Sequence, residues 1–235
     1  LTVARAIRDS LPHESLIYIG DTAHSPYGTK SMADVRTYAL EVLDMLVAQG
    51  VKMLVIACNT AWTLVLPDLR ARWPEIPFIG TVPAIKPAAE GSKSRMISVL
   101  ATPGTVKRDY TQNLIAQFAA HCRVNLVGSN HLARLAEDYM HRGLVCDEEI
   151  TAEIAPCFET RDDARTDSVV LACTHYPLLI DSFRRLAPWA VTWIDPAPAI
   201  AAEVERLIAG VHELIGVRPS EVADSPAVQV DDRFV

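Results

Sequence analysis

The segments VIACNTA (residues 55–61) and VLACTHYP (residues 170–177) decide the fold. Each is a short apolar, β-branched run that is closed by Ala-Cys and followed by small polar residues. Such a run is typical of a buried parallel strand, and Thr60 and Thr174 could each cap a helix that follows it. We therefore expect Cys58 and Cys173 each to lie where a strand's carboxyl end meets a helix N-terminus, the edge at which open α/β sheets bind ligands.

The composition favours a globular enzyme. Half of the 235 residues are apolar, and the net charge of −7 comes without a basic block, which argues against a nucleic-acid partner or a polybasic membrane anchor. No apolar stretch reaches the roughly 20 residues that cross a bilayer and no signal peptide is visible, so the expected location is the cytoplasm. The five cysteines lack CxxC or CxxH spacing, which argues against a disulfide framework and a zinc site.

Strand and helix patterns alternate along the chain. The predicted strands are residues 16–20, 53–58, 77–80, 96–102, 123–128, 168–173 and 191–195. The predicted helices are residues 1–10, 31–50, 60–72, 104–120, 131–143, 146–159, 178–187 and 197–215. The alternation and the repeated cysteine element predict an α/β fold of two pseudo-symmetric doubly wound domains with parallel sheets, with the active site in the cleft between them.

A Pro-punctuated stretch over residues 83–94 indicates the domain boundary. The first predicted domain comprises residues 1–91 and 196–235, and the second comprises residues 92–195. The polar tail PSEVADSPAVQVDDRFV (residues 219–235) is expected to be disordered, from about residue 213 onward.

The repeated cysteine element suggests an acid/base pair. A single buried cysteine is usually a small core residue, but two in the same setting weaken that interpretation. A helix N-terminus lowers the pKa of a nearby thiol, so each thiol could act as a base. Two thiols on opposite faces of a carbon could remove a proton from one face and return one to the other, which is racemisation. From the residues alone, the same pair could equally be redox partners.

Five motifs follow one another along the chain: GDTAHSPYGTKS (20–31), ACNTA (57–61), LATPGTV (100–106), GSNHLARLAE (128–137) and ACTHYPLL (172–179). Together they resemble the motifs of the glutamate racemases, in the aspartate/glutamate racemase family. The resemblance implies an isomerase that interconverts L- and D-glutamate without a cofactor, using neither pyridoxal phosphate nor a metal. It also implies that the product supplies peptidoglycan synthesis, and hence the cell wall and cell shape. Glutamate is the expected partner, with no nucleic acid and no membrane, and the enzyme could be a homodimer.

The resemblance also assigns site residues. Cys58 is the expected base for D-glutamate and Cys173 the expected base for L-glutamate, and Glu137 and His175 flank the second cysteine. The expected substrate contacts are Pro26, Tyr27, Gly28, Asn59, Thr60, Thr102, Thr105, Thr174 and His175. In contrast, we expect His24, His131 and His141 to be surface or capping residues, because the sequence places none of them in a polar cluster.

One family feature is absent from this sequence. Members begin with a strand that ends in Asp-Ser-Gly, whose Asp assists the first cysteine and whose Ser contacts the substrate, so we expect that strand to precede Leu1 in the complete protein. Two alternatives stay open. The fold could serve another substrate, as in aspartate racemases or maleate isomerases. The chain could also be a non-catalytic binding protein that acts on a target such as DNA gyrase, although the retention of both cysteines counts against this.

Overall fold

The computed structural model describes residues 1–215, with side chains through residue 210, and helices alternate with strands along this part of the chain. The strands are β1 Leu54–Ile56, β2 Phe78–Gly80, β3 Met96–Ala101, β4 Arg123–Gly128, β5 Thr160–Arg161, β6 Ala164–Arg165, β7 Ser168–Ala172 and β8 Thr192–Ile194. The helices are α1 Thr2–Ser10, α2 Met32–Val47, α3 Asn59–Arg72, α4 Ile85–Gly91, α5 Pro103–Val106, α6 Asp109–Phe118, α7 Leu132–Arg142, α8 Asp147–Ile154, α9 Ile180–Leu186 and α10 Ala197–Ile215. The predicted α/β class with parallel sheets is confirmed. The predicted tail, residues 219–235, lies outside the described residues.

Contacts between Cα atoms divide the chain into two compact units. The first unit contains Leu1–Ala57, Ala61–Thr81 and the segment that begins at Ala197. The second unit contains Cys58–Thr60 and Val82–Pro196. The domain limits that the sequence suggests, at residues 91 and 196, stay a prediction. In the described part of the chain, no helix is both long and apolar enough to cross a membrane.

The first unit is built on the parallel pair of β1 and β2, in which Leu54 lies opposite Phe78. Helices α1 and α10 pack against each other and α10 packs against β2, and the buried side chains of all three elements form one core. Removing these aliphatic side chains from water stabilises the unit by about 25 cal/mol per Å² of apolar surface. The core residues of this unit are Val3, Ile7, Ile79, Ala197, Ile200, Ala201, Val204 and Ile208.

Gly80, at the end of β2, is required by close packing. A Cβ atom built there would lie 1.7 Å from an atom of the Trp62 ring, so the indole ring covers the glycine backbone and leaves no room for a side chain. Because such an overlap forces either the ring or the strand to move, any larger residue at position 80 would disturb the strand end.

Residues 16–20 are not a strand, and the prediction there was wrong. Ile17 is 39% exposed and Tyr18 is 47% exposed, although both are large apolar residues. An apolar run becomes a strand only when a neighbouring strand satisfies its backbone N–H and C=O groups. Within residues 1–215, β1 pairs with β2 alone, so no ladder extends to residues 16–20.

The second unit contains a parallel sheet in the order β4-β3-β7-β8. Every residue of β3 and β7 is buried, because helices cover both faces of the sheet, as parallel strands require. Leu100 and Leu171 pack into the core on one face, and Val99 and Val170 pack into the core on the other. Ala101 lies opposite Ala172 at the carboxyl ends of β3 and β7. The residues that follow these strands therefore meet at one edge of the sheet.

Three further elements differ from the sequence prediction. The Pro-punctuated stretch contains α4, whose Ile85, Ala88 and Ala89 are buried. The predicted helix over residues 104–120 is two helices, α5 and α6, because the chain turns at Lys107–Arg108. Strands β5 and β6 form an antiparallel hairpin that periodicity could not reveal, since each has two residues.

Candidate active site

Cys58 directly precedes the N-terminus of α3. Strand β1 ends at Ile56 and α3 begins at Asn59, which is the strand-to-helix arrangement that the sequence predicts for this cysteine. Thr60 therefore lies inside the first turn of α3, so the prediction that it caps the helix was wrong. Residues 58–60 group with the second unit, and Thr60 lies beside Thr102, which directly follows β3.

Three threonine hydroxyls meet in the second unit. Thr60 Oγ1 lies 3.4 Å from both Thr102 Oγ1 and Thr105 Oγ1, and the last two are 3.2 Å apart. All three residues are buried, and the Thr111 hydroxyl donates to the Thr105 carbonyl at 2.7 Å, which holds the backbone there. Each hydroxyl can donate one hydrogen bond and can rotate to do so, so the cluster can direct hydrogens toward an anion such as a carboxylate.

The Asn59 side chain is 5% exposed, and neither its amide nitrogen nor its oxygen has a hydrogen-bond partner in the described part of the chain. A buried amide without a partner costs roughly 1–3 kcal/mol. A ligand that accepts from the nitrogen or donates to the oxygen would remove this cost. Asn59 is thus a candidate ligand-binding residue, next to Cys58 in the sequence.

Cys173 follows β7 and is half-buried. Burial raises the pKa of its thiol to about 12; hydrogen bonds from the backbone of His175 and Tyr176 oppose this rise, and the charge of Cys58 adds to it. Cys173 is therefore a neutral thiol at pH 7 in the free protein. Cys58 and Cys173 belong to the same unit.

The expectation that a helix N-terminus lowers the pKa of both thiols was wrong for Cys173. The element that follows it is a 3₁₀ turn, Tyr176–Leu179, and burial outweighs the backbone N–H groups around the sulfur. The predicted cap was also wrong, because His175 rather than Thr174 precedes this turn and makes no side-chain cap bond. Thr174 itself is half-buried between the cysteine and the histidine.

His175 connects Cys173 to a carboxylate. Its Nδ1 lies 3.9 Å from Cys173 Sγ, and its Nε2 lies 2.7 Å from Glu137 Oε1 on α7. His141, one turn further along α7, places Nε2 3.9 Å from the other oxygen of Glu137. The side chain of Glu137 is 42% exposed, so the series Cys173, His175, Glu137 runs from a buried thiol to solvent.

Pro26, Tyr27 and Gly28 lie in the first unit, whereas the other candidate site residues lie in the second. Tyr27–Thr29 is a 3₁₀ turn, and the Tyr27 hydroxyl donates to Asp21 Oδ2 at 2.6 Å. His24 also bonds to Asp21, at 2.9 Å, so the expectation that His24 stands outside any polar cluster was wrong. The motif GDTAHSPYG contained this cluster, but its spacing alone did not indicate that the side chains meet.

Arg108 is a further residue that sequence reasoning missed. It is half-buried between α5 and α6, and its Nε donates to the Gly104 carbonyl at 3.3 Å. Burial lowers the pKa of its guanidinium, while the charge of Cys58 raises it. The only signal in the sequence is its position three residues after Thr105.

The chain matches the model of the Asp/Glu/hydantoin racemase family over residues 2–204. The chain belongs to this family. It is therefore an enzyme of the racemase class, an isomerase, and the resemblance that the sequence motifs indicate is confirmed.

Relatives in this family are closely similar. The chain is 52% identical to a glutamate racemase of Agrobacterium fabrum over 209 residues, which cover 88% of this chain and 77% of the relative. It is 52% identical over 210 residues to a glutamate racemase of Brucella canis, covering 88% of this chain and 76% of the relative. The solved structure of the Escherichia coli glutamate racemase, in complex with L-glutamate and the activator UDP-MurNAc-Ala, has a TM-score of 0.83 at 36% identity, covering 88% of this chain and 77% of that one.

Proposed function

We propose that this protein interconverts L- and D-glutamate by proton transfer between the substrate Cα and two thiols, Cys58 and Cys173. The glutamate assignment is supported by family membership and by relatives of that name at 52% identity. The single observation that carries the two-thiol proposal is that Cys58 and Cys173 each follow the end of a strand and belong to the same unit, with the hydroxyls of Thr60, Thr102 and Thr105 clustered in that unit. The carboxyl ends of parallel strands are where α/β folds bind their ligands.

The proton balance is closed within the pair. The Cys173 thiolate takes the Cα proton of L-glutamate, and the bonding electrons move into the α-carboxylate to give an enolate. The Cys58 thiol then gives its proton to the opposite face of Cα, which leaves D-glutamate, a Cys58 thiolate and a Cys173 thiol. The reverse reaction starts from that form, so one turnover shifts one proton between the two thiols without net uptake.

The protonation state of Cys173 in the free protein suits its role as the proton donor in the D-to-L direction. Because the pKa of Cys173 is about 12, its thiol holds a proton at pH 7 and can donate it. To act on L-glutamate, Cys173 must first lose that proton, and His175 Nδ1 lies 3.9 Å away as an acceptor. Glu137, 2.7 Å from the other ring nitrogen, stabilises the imidazolium that this transfer forms.

The polar residues around the thiols bind and polarise the substrate in this proposal. Asn59 and the three-threonine cluster donate to a substrate carboxylate, and Thr174 donates from the Cys173 side. Donors aimed at the carboxylate stabilise the negative charge that develops there when Cα loses its proton. The turn formed by Pro26, Tyr27 and Gly28 contributes backbone contacts to the substrate.

The same proposal covers the wider role of the enzyme. Both bases are thiols and the substrate's own carboxylate accepts the electrons, so neither pyridoxal phosphate nor a metal takes part. We place the enzyme in the cytoplasm, where D-glutamate supplies peptidoglycan synthesis for cell wall biogenesis and cell shape. A homodimer stays a prediction.

The test is to incubate the full-length protein with L-glutamate, after dialysis against EDTA and without pyridoxal phosphate, and to follow the circular dichroism of the amino acid. We expect the signal to decay to zero as the enantiomers equalise, and L-aspartate to remain unchanged. A Cys58→Ser, Cys173→Ser double variant serves as the inactive control. Racemisation only after a metal or pyridoxal phosphate is added would contradict the two-thiol chemistry, and racemisation of aspartate instead would contradict the substrate.

A further inference from the structure

The Asp21 carboxylate is the centre of a hydrogen-bond cluster in the first unit. Oδ2 accepts from the Tyr27 hydroxyl at 2.6 Å, and Oδ1 accepts from the His24 backbone N–H at 3.2 Å. The His24 ring nitrogen Nδ1 lies 2.9 Å and 3.0 Å from the two carboxylate oxygens. One carboxylate thus forms hydrogen bonds with residues on both sides of the Ser25–Pro26 peptide.

The His24 ring is held from its other side as well. It stacks on the Tyr38 ring of α2, with 3.7 Å between the ring centroids and 13° between the planes. The Asp21 side chain is 14% exposed, whereas that of His24 is 38% exposed. The stack fixes the imidazole against a regular helix, and the imidazole in turn fixes the carboxylate, so the cluster has a rigid attachment outside the turn.

Charge also favours this arrangement. Burial raises the pKa of Asp21, but the hydrogen bonds from Tyr27 and His24 outweigh it and hold the pKa below its usual value. Asp21 is therefore ionised at neutral pH, and hydrogen bonds to an ionised group are about twice as strong as those between neutral groups. The Tyr27 hydroxyl is committed to Asp21, which leaves the backbone of the turn as the part that can meet a substrate.

We infer that Asp21 and His24 are positioning residues that hold the turn Pro26–Gly28 in the conformation that binds substrate. This inference rests on the proposed function, in which that turn contacts glutamate. Neither residue touches the reacting atoms in this view. They act on binding alone, by removing conformations of the turn that could not receive the substrate.

The test measures kcat and KM for both enantiomers in variants of the full-length protein. Asp21→Asn keeps the shape but can no longer accept from three donors, and Tyr27→Phe removes one of them. We expect each to raise KM about tenfold, equally for L- and D-glutamate, with kcat changed less than threefold. The double variant Asp21→Asn, Cys58→Ser should bind D-glutamate about tenfold more weakly than Cys58→Ser alone, as measured by calorimetric titration.

Two substitutions at His24 separate its hydrogen bond from its ring stack. His24→Asn places an amide N–H close to the position of Nδ1 and loses the stack, whereas His24→Phe keeps the stack and loses the hydrogen bond. We expect His24→Asn, which loses only the stack, to raise KM less than His24→Phe, and His24→Phe to resemble Asp21→Asn. This rescue by an amide is a result that a merely structural aromatic residue would not give.

Asp68→Asn is the matched control. Asp68 also accepts from a partner in the first unit, Arg36 Nε at 2.7 Å, and its pKa is likewise held low by that bond. It should lose stability without a change in KM. An unchanged KM in Asp21→Asn and His24→Phe, or a fall in kcat alone, would overturn the positioning role while leaving the racemase activity intact. If the parent protein does not racemise glutamate, the proposed function itself has failed.

Discussion

The two cysteine segments begin from the same local pattern and end in different surroundings. Cys58 is followed by Asn59 and Thr60, whose side chains meet hydroxyls or have no partner among the described residues. Cys173 is followed by Thr174 and His175, and the imidazole bonds to Glu137 at 2.7 Å. One segment is therefore rich in groups that bind an anion, and the other is rich in groups that exchange protons.

In the proposed mechanism, a symmetric reaction therefore uses two bases in different surroundings. Because two enantiomers have equal free energies, the ratio kcat/KM must be the same in both directions, whatever groups carry the proton. The residues next to Cys58 can therefore supply most of the substrate binding, and the residues next to Cys173 can supply most of the proton exchange. The following predictions test that division, from the largest expected effect to the smallest.

The largest effect is expected from the cysteines themselves. Cys58→Ser and Cys173→Ser should each lower racemisation by roughly 10³-fold or more, because a serine hydroxyl is a far weaker acid than a thiol. Elimination of chloride from threo-3-chloroglutamate needs only the abstracting base. Cys58→Ser should therefore keep elimination from the L-type compound, and Cys173→Ser should keep it from the D-type compound, both measured by chloride release.

Cys146→Ser is the control for these two variants. Cys146 is exposed and its thiol lies 2.9 Å from Glu148 Oε2, so its replacement should leave racemisation unchanged. If Cys58→Ser and Cys173→Ser each lose elimination from both enantiomers equally, the two faces of the substrate Cα do not have separate bases.

The second effect concerns the proton-exchanging side. His175→Asn should lower kcat about 10²-fold and Glu137→Gln about tenfold, because the imidazole exchanges the proton of Cys173 and the carboxylate only stabilises its charged form. If the two act in series, the double variant should be no worse than His175→Asn alone. Additive losses in kcat would show that Glu137 works independently. Glu149→Gln, an exposed carboxylate on α8, should have no effect on kcat.

The third effect concerns the binding side. Asn59→Ala should raise KM about tenfold, because the substrate loses an amide partner. The melting temperature of the free protein should stay the same or rise, because the change removes a buried amide that has no partner within residues 1–215. Asn125→Ala should do the opposite: its amide donates to the Pro156 carbonyl at 2.7 Å, so stability should fall and KM should not change. A fall in the melting temperature of Asn59→Ala would mean that this amide stabilises the free protein.

The last effect, about tenfold per pH unit, is a pH dependence of labelling. Burial raises the pKa of both Cys173 and Cys157 to about 12, but Cys157 is 0% exposed and Cys173 is half-buried. Iodoacetamide reacts with the thiolate, whose fraction rises tenfold per pH unit below the pKa. Cys173 labelling, followed by peptide mass spectrometry, should therefore accelerate about tenfold per unit between pH 7 and pH 10, with Cys157 unlabelled. A rate that levels off near pH 8 would show a much lower pKa for Cys173.

Sequence reasoning succeeded where the cause is local. The apolar runs of β3 and β7 are continuous because helices cover both of their faces, and such runs were recognised as buried strands. It failed at residues 16–20, where the run is equally apolar but no neighbouring strand lies within the described residues. It also failed at His24, whose partner Tyr38 is in another element and cannot be found from spacing.

The sequence by itself determined the α/β class, the family and the position of each cysteine at a strand end, because period, branching and motif order depend on neighbouring residues. Only the tertiary structure decided what surrounds those cysteines. Thr60 meets hydroxyls 42 and 45 residues away, and His175 meets a carboxylate 38 residues away. Burial, which raises the pKa of Cys173 against the expectation from its N–H groups, is likewise the sum of contacts from the whole second unit. A thiol's chemistry follows from its neighbours in space, and those are set by the packing of distant segments.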